Sequence, residues 1–438
     1  MSTVRELDCP LASELRPPLS RSEVVLEADR CLECGDAYAV APCTVACPAD
    51  VDVPGFVSAL ARDDPAEAAE TIFAQNLLGG TCARVCPVEV LCQGACVLVH
   101  EGRAPIEIGR LQRYATDWAL AQEQPLRRNE AETGHKIAVV GAGPAGLACA
   151  GELAARGHDA TVFETRAEIG GLVRSAIAPY RIERAPLPAE MRALERLGVH
   201  FLLDRTVACI DDLARFDAIF LGIGLGADAR SEIPGDNLSG VWESLPFIEA
   251  LKCGVPPAVG RHVVVIGGGN TAIDVARESR RLGAEHVTIV YRRTRDDMPA
   301  YPFEVDEAER EGVHFGWRQL PTRIVGERRV SAVLCASVRL GQPDASGRRP
   351  LHPIPGTETS LPADTVVKAI GQQARPELPS LWGGLDVDRS GRIVVDDDGR
   401  TSNPRVYAGG DAVNGGSSVV EAVAAGKRAA LAIDRGFE

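Results

Sequence analysis

Two periods of apolar residues divide the chain. Between about Ser20 and Trp118 they recur at helical spacing: Pro54-Gly55-Phe56-Val57-Ser58-Ala59-Leu60 and Pro65 to Gln75 each open on proline, which predicts two helices. From Lys136 the pattern changes to short apolar runs, Lys136 to Val140, Ala160 to Phe163, Phe216 to Leu221, His262 to Ile266 and Val287 to Val290. The first is followed by the helical stretch Ala148 to Arg156, the signature of buried parallel strands joined by crossover helices. Arg323 to Ala369 reads as further strands around a proline-rich hairpin, and the chain closes on Val406-Tyr407-Ala408 and the amphipathic helix Val419 to Ile433. Ala121 to His135 has no apolar period and reads as a surface linker. The expected class is therefore α/β, preceded by an α-helical domain.

Glycines mark where the strands turn into helices. Val140 leads into Gly141-Ala142-Gly143-Pro144-Ala145-Gly146-Leu147, a GxGxxG turn in which the first glycine permits the turn, the second lets a pyrophosphate approach and the third lets helix pack on strand. Glu164, eighteen residues past Gly146 and at the end of the next strand, is placed for the ribose hydroxyls of a bound dinucleotide. Gly170-Gly171-Leu172 follows, where the chain would pass the cofactor, and Arg181 is a candidate phosphate or flavin contact. A second fingerprint, Gly267-Gly268-Gly269-Asn270-Thr271-Ala272, carries alanine in the third position. Its partner strand ends in Tyr291-Arg292-Arg293, and two guanidiniums there suit the 2′-phosphate of NADPH. Asp274, Asp306 and Glu307 read as surface or helix-capping charges. Near the end, Gly409-Gly410-Asp411 delivers an aspartate for a ribityl hydroxyl, and Ser418-Val419 opens a helix whose positive end would face a reduced flavin.

Thirteen cysteines change the picture, because nine fall before residue 100. Eight of these are grouped as Cys31-x2-Cys34, Cys43-x3-Cys47-Pro48, Cys82-x3-Cys86-Pro87 and Cys92-x3-Cys96, and cysteine groups ending in Cys-Pro echo the ferredoxin run. Two 4Fe-4S clusters are the natural count; a structural zinc site is the rival. Cys149, Cys209, Cys253 and Cys335 are isolated and form no redox dithiol, so electrons are expected to leave through the clusters to another protein. A formal charge of −14 argues against nucleic acid and anionic membrane as partners. Met1 to Pro18 is polar and no run approaches a membrane span, which predicts a cytoplasmic protein with neither signal peptide nor anchor.

The chain from about Arg30 resembles the family that contains the glutamate synthase small subunit and the N-terminal half of dihydropyrimidine dehydrogenase. Gly80 to Pro87, Cys92-Gln93-Gly94-Ala95-Cys96 and Pro105 to Arg113 carry the resemblance. It implies two Rossmann-like domains binding FAD and NADPH behind the cluster domain: 1–120 iron-sulfur, 121–135 linker, 136–245 and 370–438 FAD-binding, and 246–369 an inserted NADPH-binding domain. It also implies Cys31, Cys34, Cys43 and Cys96 on one cluster, Cys47, Cys86, Cys92 and Gln112 on the other, and Cys82 as a free buried thiol. Eight residues lie between Cys34 and Cys43, more than the family has, so the insert Tyr38 to Ala41 must loop out. Gln112 stands sixteen residues after Cys96, where the dihydropyrimidine branch has a glutamine ligand and the glutamate synthase branch a glutamate.

That residue favours an NADPH-oxidising electron-transfer subunit of a dihydropyrimidine dehydrogenase, with an FMN-carrying partner. The glutamate synthase small subunit, or a related NADPH-dependent ferredoxin- or transhydrogenase-type subunit, is the alternative, with a large glutamine-hydrolysing partner in the first case. A redox-sensing protein is a third class. No catalytic acid or base is expected, since hydride transfer between stacked rings needs mainly positioning.

Overall fold

The structure, a computed structural model, describes residues 14–34, 39–123, 125–182, 186–229, 231, 233–342, 349–375 and 381–437. Tyr38 of the cysteine insert, Cys9 and the first residues of the polar N-terminus lie outside them. The chain forms two compact units, one of Leu15–Arg174, Arg181–Gly226 and Ala374–Glu438, the other containing Ser175–Tyr180 and Ala227–Gln373.

Local chemistry starts the N-terminal helices. α1 (Arg21–Ala28) has Ser20 and Glu23 as a reciprocal capping box. After the single turn α2 (Pro42–Val45), Asp52 caps α3 (Val53–Ala61) and Asp64 caps α4 (Pro65–Gln75), with proline in the first turn of each. α5 (Gly79–Val85), α6 (Val97–His100) and α7 (Ile108–Ala121) complete the helical part. Phe56, Ile72 and Leu111 are fully buried, each contributing about 1.5–3 kcal/mol by leaving water.

The first dinucleotide-type part follows as β1 (Lys136–Val140), α8 (Pro144–Ala155), β2 (Asp159–Phe163), α9 (Leu172–Ser175), α10 (Leu187–Arg196), β3 (His200–Leu202) and β4 (Ala218–Leu221). The second unit supplies β5 (Val241–Glu243), α11 (Ser244–Lys252), β6 (His262–Gly267), α12 (Asn270–Arg281), β7 (His286–Tyr291), α13 (Pro302–Arg310), β8 (Val313–Trp317), β9 (Gln319–Gly326), β10 (Val330–Leu340), β11 (Leu351–Pro353), β12 (Thr359–Pro362) and β13 (Thr365–Ala369). The chain then returns for β14 (Val406–Ala408), α14 (Asp411–Asn414) and α15 (Val419–Arg435).

Each unit carries a five-stranded parallel sheet, ordered β14-β4-β1-β2-β3 in the first and β5-β13-β6-β7-β8 in the second. The second unit adds an antiparallel sheet of β9 to β12, with β10 at its centre. Register brings the sequence motifs to one edge: Val140 pairs with Phe163 and with Leu221, and Leu221 with Ala408. Gly141, Glu164, Gly222 and Gly409 therefore all leave the sheet at its carboxyl edge, where open α/β sheets bind ligands. In the first unit one apolar core runs from Leu19 through Phe56, Leu77 and Ala145 to Ile433, joining the helical part to the sheet. The run expected as a surface linker is pinned to α8 by buried Leu126, an Arg127–Glu152 ion pair and the Glu130 N–H on Ala155 O at 2.8 Å.

Candidate functional site

The first glycine turn is closed by the protein in two places and open in the third. Gly141 has φ +99°, and a Cβ there would lie 2.5 Å from Gly222 O; one at Gly146 would lie 1.9 Å from Gly141 O. A Cβ at Gly143 would meet only Gly222 O, at 3.9 Å. This is the cradle a pyrophosphate needs: the outer glycines are required by backbone packing, whereas the middle one leaves space over the start of α8, whose N-cap Gly143 brings no side-chain acceptor. Pro144 and Ala145 form the first turn. Gly171, with φ +52°, passes so close that its Cβ would be 3.0 Å from Gly143 Cα, and Leu172 then opens α9. Glu164 is buried, accepting the Ala142 N–H at 2.8 Å and the Arg166 N–H at 2.9 Å. Its remaining lone pairs stay available for ribose hydroxyls.

Gly410 (φ +71°) carries the chain from β14 into Asp411, whose carboxyl is pushed up by burial and partly held down by the Ser417 N–H at 3.3 Å. Ser418 caps α15 and is itself held by Glu421, so its side chain serves the helix, and the feature left for a ligand is the backbone around Val419. Burial opposes the charge of Glu421, but hydrogen bonds from Ser417 and Ser418 hold its carboxyl below the ordinary value. A carboxylate thus already sits at the helix end expected to face flavin. Arg181 follows Tyr180 in the return to the first unit.

The second fingerprint repeats the logic. Gly267 has φ +149° and a Cβ there would lie 2.0 Å from Ala369 O, whereas Gly269, the N-cap of α12, has open space. Asn270 Oδ1 accepts the Tyr301 N–H at 2.9 Å, Thr271 sits in the first turn and Ala272 is fully buried, as a packing position requires. Ile266 pairs with Val290, so the end of β7 comes beside this turn: the Tyr291 ring lies against Gly268, Arg292 is exposed and Arg293 donates to Arg349 O at 3.0 Å. Asp274, expected at the surface, is buried and accepts the Tyr180 hydroxyl at 2.5 Å. The Tyr180 ring lies 4.4 Å from both the Arg277 and Arg281 guanidiniums, and Arg277 pairs with Glu307 and Glu311. A distant tyrosine docked on α12 leaves no local mark in the sequence around Asp274.

The cysteines gather in two groups. Cys31, Cys34, Cys43 and Cys96 line one cavity with Leu32, Pro54 and Ile108. Burial pushes the Cys43 thiol up to about 12, and the charges of Cys31 and Cys96 add to it. In the other group a hydrogen bond with Cys82, burial and the charges of Cys82, Cys92 and Cys47 push Cys86 up, and burial with Cys47 pushes Cys92 up to about 12. Sets of desolvated thiols that penalise one another's charge fit a cationic centre, which would convert them to thiolates. Gln112 lies on α7 and its amide donates to Gly79 O, at the start of α5, at 2.8 Å, which leaves its carbonyl oxygen as the candidate ligand atom. Cys82 is buried one helical turn before Cys86.

Two ionisable side chains beside these loops escaped the sequence reading. Glu190 of α10 is fully buried and accepts the Thr81 N–H at 2.9 Å and hydroxyl at 2.5 Å; burial pushes its carboxyl up to about 7 against those hydrogen bonds and Arg84. Lys427 of α15 donates to Ala49 O at 3.4 Å and to Gln75 Oε1, and burial lowers its pKa. Both stand in apolar stripes, Glu190 with Leu187 and Leu194, Lys427 with Val420 and Val423. A charge in a buried stripe was the available signal. No helix among the described residues is long and apolar enough to cross a membrane.

Residues 135–426 match the pyridine nucleotide-disulphide oxidoreductase family, and residues 10–124 match dihydropyrimidine dehydrogenase domain II, 4Fe-4S cluster. The chain is 37% identical to the glutamate synthase [NADPH] small chain of Escherichia coli over 95% of its own length and 92% of that protein's. It is 38% identical to the NADP(+)-dependent formate dehydrogenase subunit beta of Moorella thermoacetica, over 91% of this chain and 60% of the relative. Among solved structures, FprA of Mycobacterium tuberculosis in complex with NADPH superposes with a TM-score of 0.56 at 22% identity, covering 69% of this chain and 84% of that one, a likeness of fold.

Proposed function

The chain belongs to the pyridine nucleotide-disulphide oxidoreductase family, and from that premise we propose that it is the small, electron-input subunit of a glutamate synthase. It is an NADPH-dependent oxidoreductase with FAD and 4Fe-4S clusters as cofactors. The observation that carries the finer reading is the 37% identity to a glutamate synthase small chain across 92% of that relative. This corrects the weight placed on Gln112. Relatives named as glutamate synthase and formate dehydrogenase subunits match nearly the whole chain, whereas the dihydropyrimidine dehydrogenase likeness rests on residues 10–124. A glutamine at that position does not by itself choose the partner.

When bound, the nicotinamide supplies a hydride, the flavin accepts two electrons and releases them singly, and the clusters carry single electrons. The residues of the chain bind and orient. Gly143 and Gly269 leave the starts of α8 and α12 open to pyrophosphate oxygens, Glu164 takes the adenosine ribose of FAD, and Arg292 with Arg293 takes the 2′-phosphate of NADPH. Cys31, Cys34, Cys43 and Cys96 hold one cluster, and Cys47, Cys86, Cys92 and Gln112 the other. Electrons then pass to a partner catalytic subunit.

The test is reconstitution: the anaerobic, cofactor-replete chain is mixed with the large glutamine-hydrolysing subunit from the same host. Oxidation of NADPH by the pair that requires both glutamine and a 2-oxo acid, which takes up the released ammonia and the two electrons, and that is absent from either subunit alone, is the expected result. Uracil-dependent oxidation with an FMN-carrying subunit, and none with the glutamine-hydrolysing one, would overturn it in favour of the pyrimidine reading.

A further inference from the structure

Lys427 connects the C-terminal helix to the cysteine loops. α15 is fixed in place: a Cβ at Gly426 would lie 2.0 Å from Ala145 O in the first turn of α8, so the two helices touch backbone to backbone. From the next residue the ammonium reaches Gln75 Oε1 at the end of α4 and Ala49 O, two residues beyond Cys47. Both acceptors are uncharged, so these contacts hold the ammonium without cancelling its charge. Cys47, Asp50, Glu152 and Arg127 are the ionisable groups whose charges it feels. Arg16 approaches the same cysteines, with Nη1 on Cys86 O at 2.7 Å, but its guanidinium is paired with Glu89 at 3.0 Å.

We propose that Lys427 is a positioning residue for electron transfer, a positive charge held by the C-terminal helix against the Cys47 loop that raises the one-electron potential of the cluster Cys47 binds. Reduction adds one electron and no proton to that cluster, and the same electron is passed on. The charged product is favoured by a nearby cation, and local charge is among the quantities that set cluster potentials. A partly buried charge is also screened less by salt than an exposed one. The proposal rests on the reading that Cys47, Cys86 and Cys92 share a cluster.

The experiment is an anaerobic redox titration of the holoprotein, followed by electron paramagnetic resonance, in wild type, Lys427→Met, Lys427→Arg and Cys47→Ser. Cys47→Ser is expected to remove the signal of one cluster and so identify it. In Lys427→Met the reduced-to-oxidised ratio of that cluster, at a fixed ambient potential, should fall about tenfold, a downward shift of about 59 mV for a one-electron couple. The other cluster should move less, and Lys427→Arg should stay with wild type. If methionine weakens assembly, Lys427→Gln replaces it in the same titration. Equal potentials in wild type and the neutral variant, or equal shifts for methionine and arginine, would overturn the proposal. Two intact clusters in Cys47→Ser would instead show that the ligand reading had failed.

Discussion

Glu190 makes a pH-dependent prediction that can be worked through. Its carboxyl is fully buried between α10 and the start of α5, and burial raises its pKa from an ordinary 4.5 to about 7. A carboxyl raised in the folded state favours folding while protonated; that stability is complete below the unfolded value and is lost as pH rises through the folded one. With about 1.36 kcal/mol per unit, the total cost of ionisation is about 3 kcal/mol, of which about 1 kcal/mol falls between pH 6 and 8.5. Glu190→Gln keeps an acceptor for the Thr81 N–H and an amide for its hydroxyl, while removing the titration. The difference in melting temperature between wild type and variant, measured every half unit from pH 6 to 8.5, cancels every other titrating group. The variant is expected to gain on wild type by about 1–2 °C over that range, the shift such a change makes in a chain of 438 residues. A difference that stays flat with pH would refute the burial argument, and one that moves the other way would mean that Thr81 and Arg84 prevail.

Gly143→Val should fold, because its Cβ points into open space, yet lose most of its FAD in the absorbance spectrum; Gly146→Val should fail to yield soluble protein, since its Cβ would overlap Gly141 O. Alanine at both Arg292 and Arg293 should raise KM for NADPH about 10- to 100-fold by steady-state kinetics, the worth of lost charge-assisted hydrogen bonds, with little change for NADH. Iron analysis should find Cys43→Ser short of one cluster's iron, and Cys82→Ser with the full complement, its thiol lying outside the proposed ligand sets.

The sequence was most legible where a single residue type answers to a backbone constraint. Gly141, Gly146 and Gly267 are required by approaches of 2.5 Å or less to a Cβ, and such glycines announce themselves at fixed spacing after a strand. The cysteine groupings were legible for a related reason: Cys31, Cys34 and Cys43 are close along the chain, and the cavity they line draws in Cys96 from across α5. What could not be read were the partners of charges that meet through the fold. Thr81 and Glu190 are 109 positions apart, Tyr180 and Asp274 94, and Ala49 and Lys427 378. Nothing local distinguishes Asp274 from a solvated helix charge. Gln112 is a different case, because a glutamine at a proposed ligand position does not by itself say which protein receives the electrons.

The central claim is that electrons enter from NADPH, pass through FAD and leave through the N-terminal clusters. Its most direct test is anaerobic mixing of the isolated holoprotein with NADPH, with flavin absorbance and cluster paramagnetic resonance followed in the same sample. The expected result is bleaching of the flavin accompanied by the signal of at least one reduced cluster, and faster reduction of an artificial acceptor by NADPH than by NADH. A fully loaded protein that leaves NADPH unoxidised, or that bleaches its flavin while neither cluster can be reduced by it, would contradict the account.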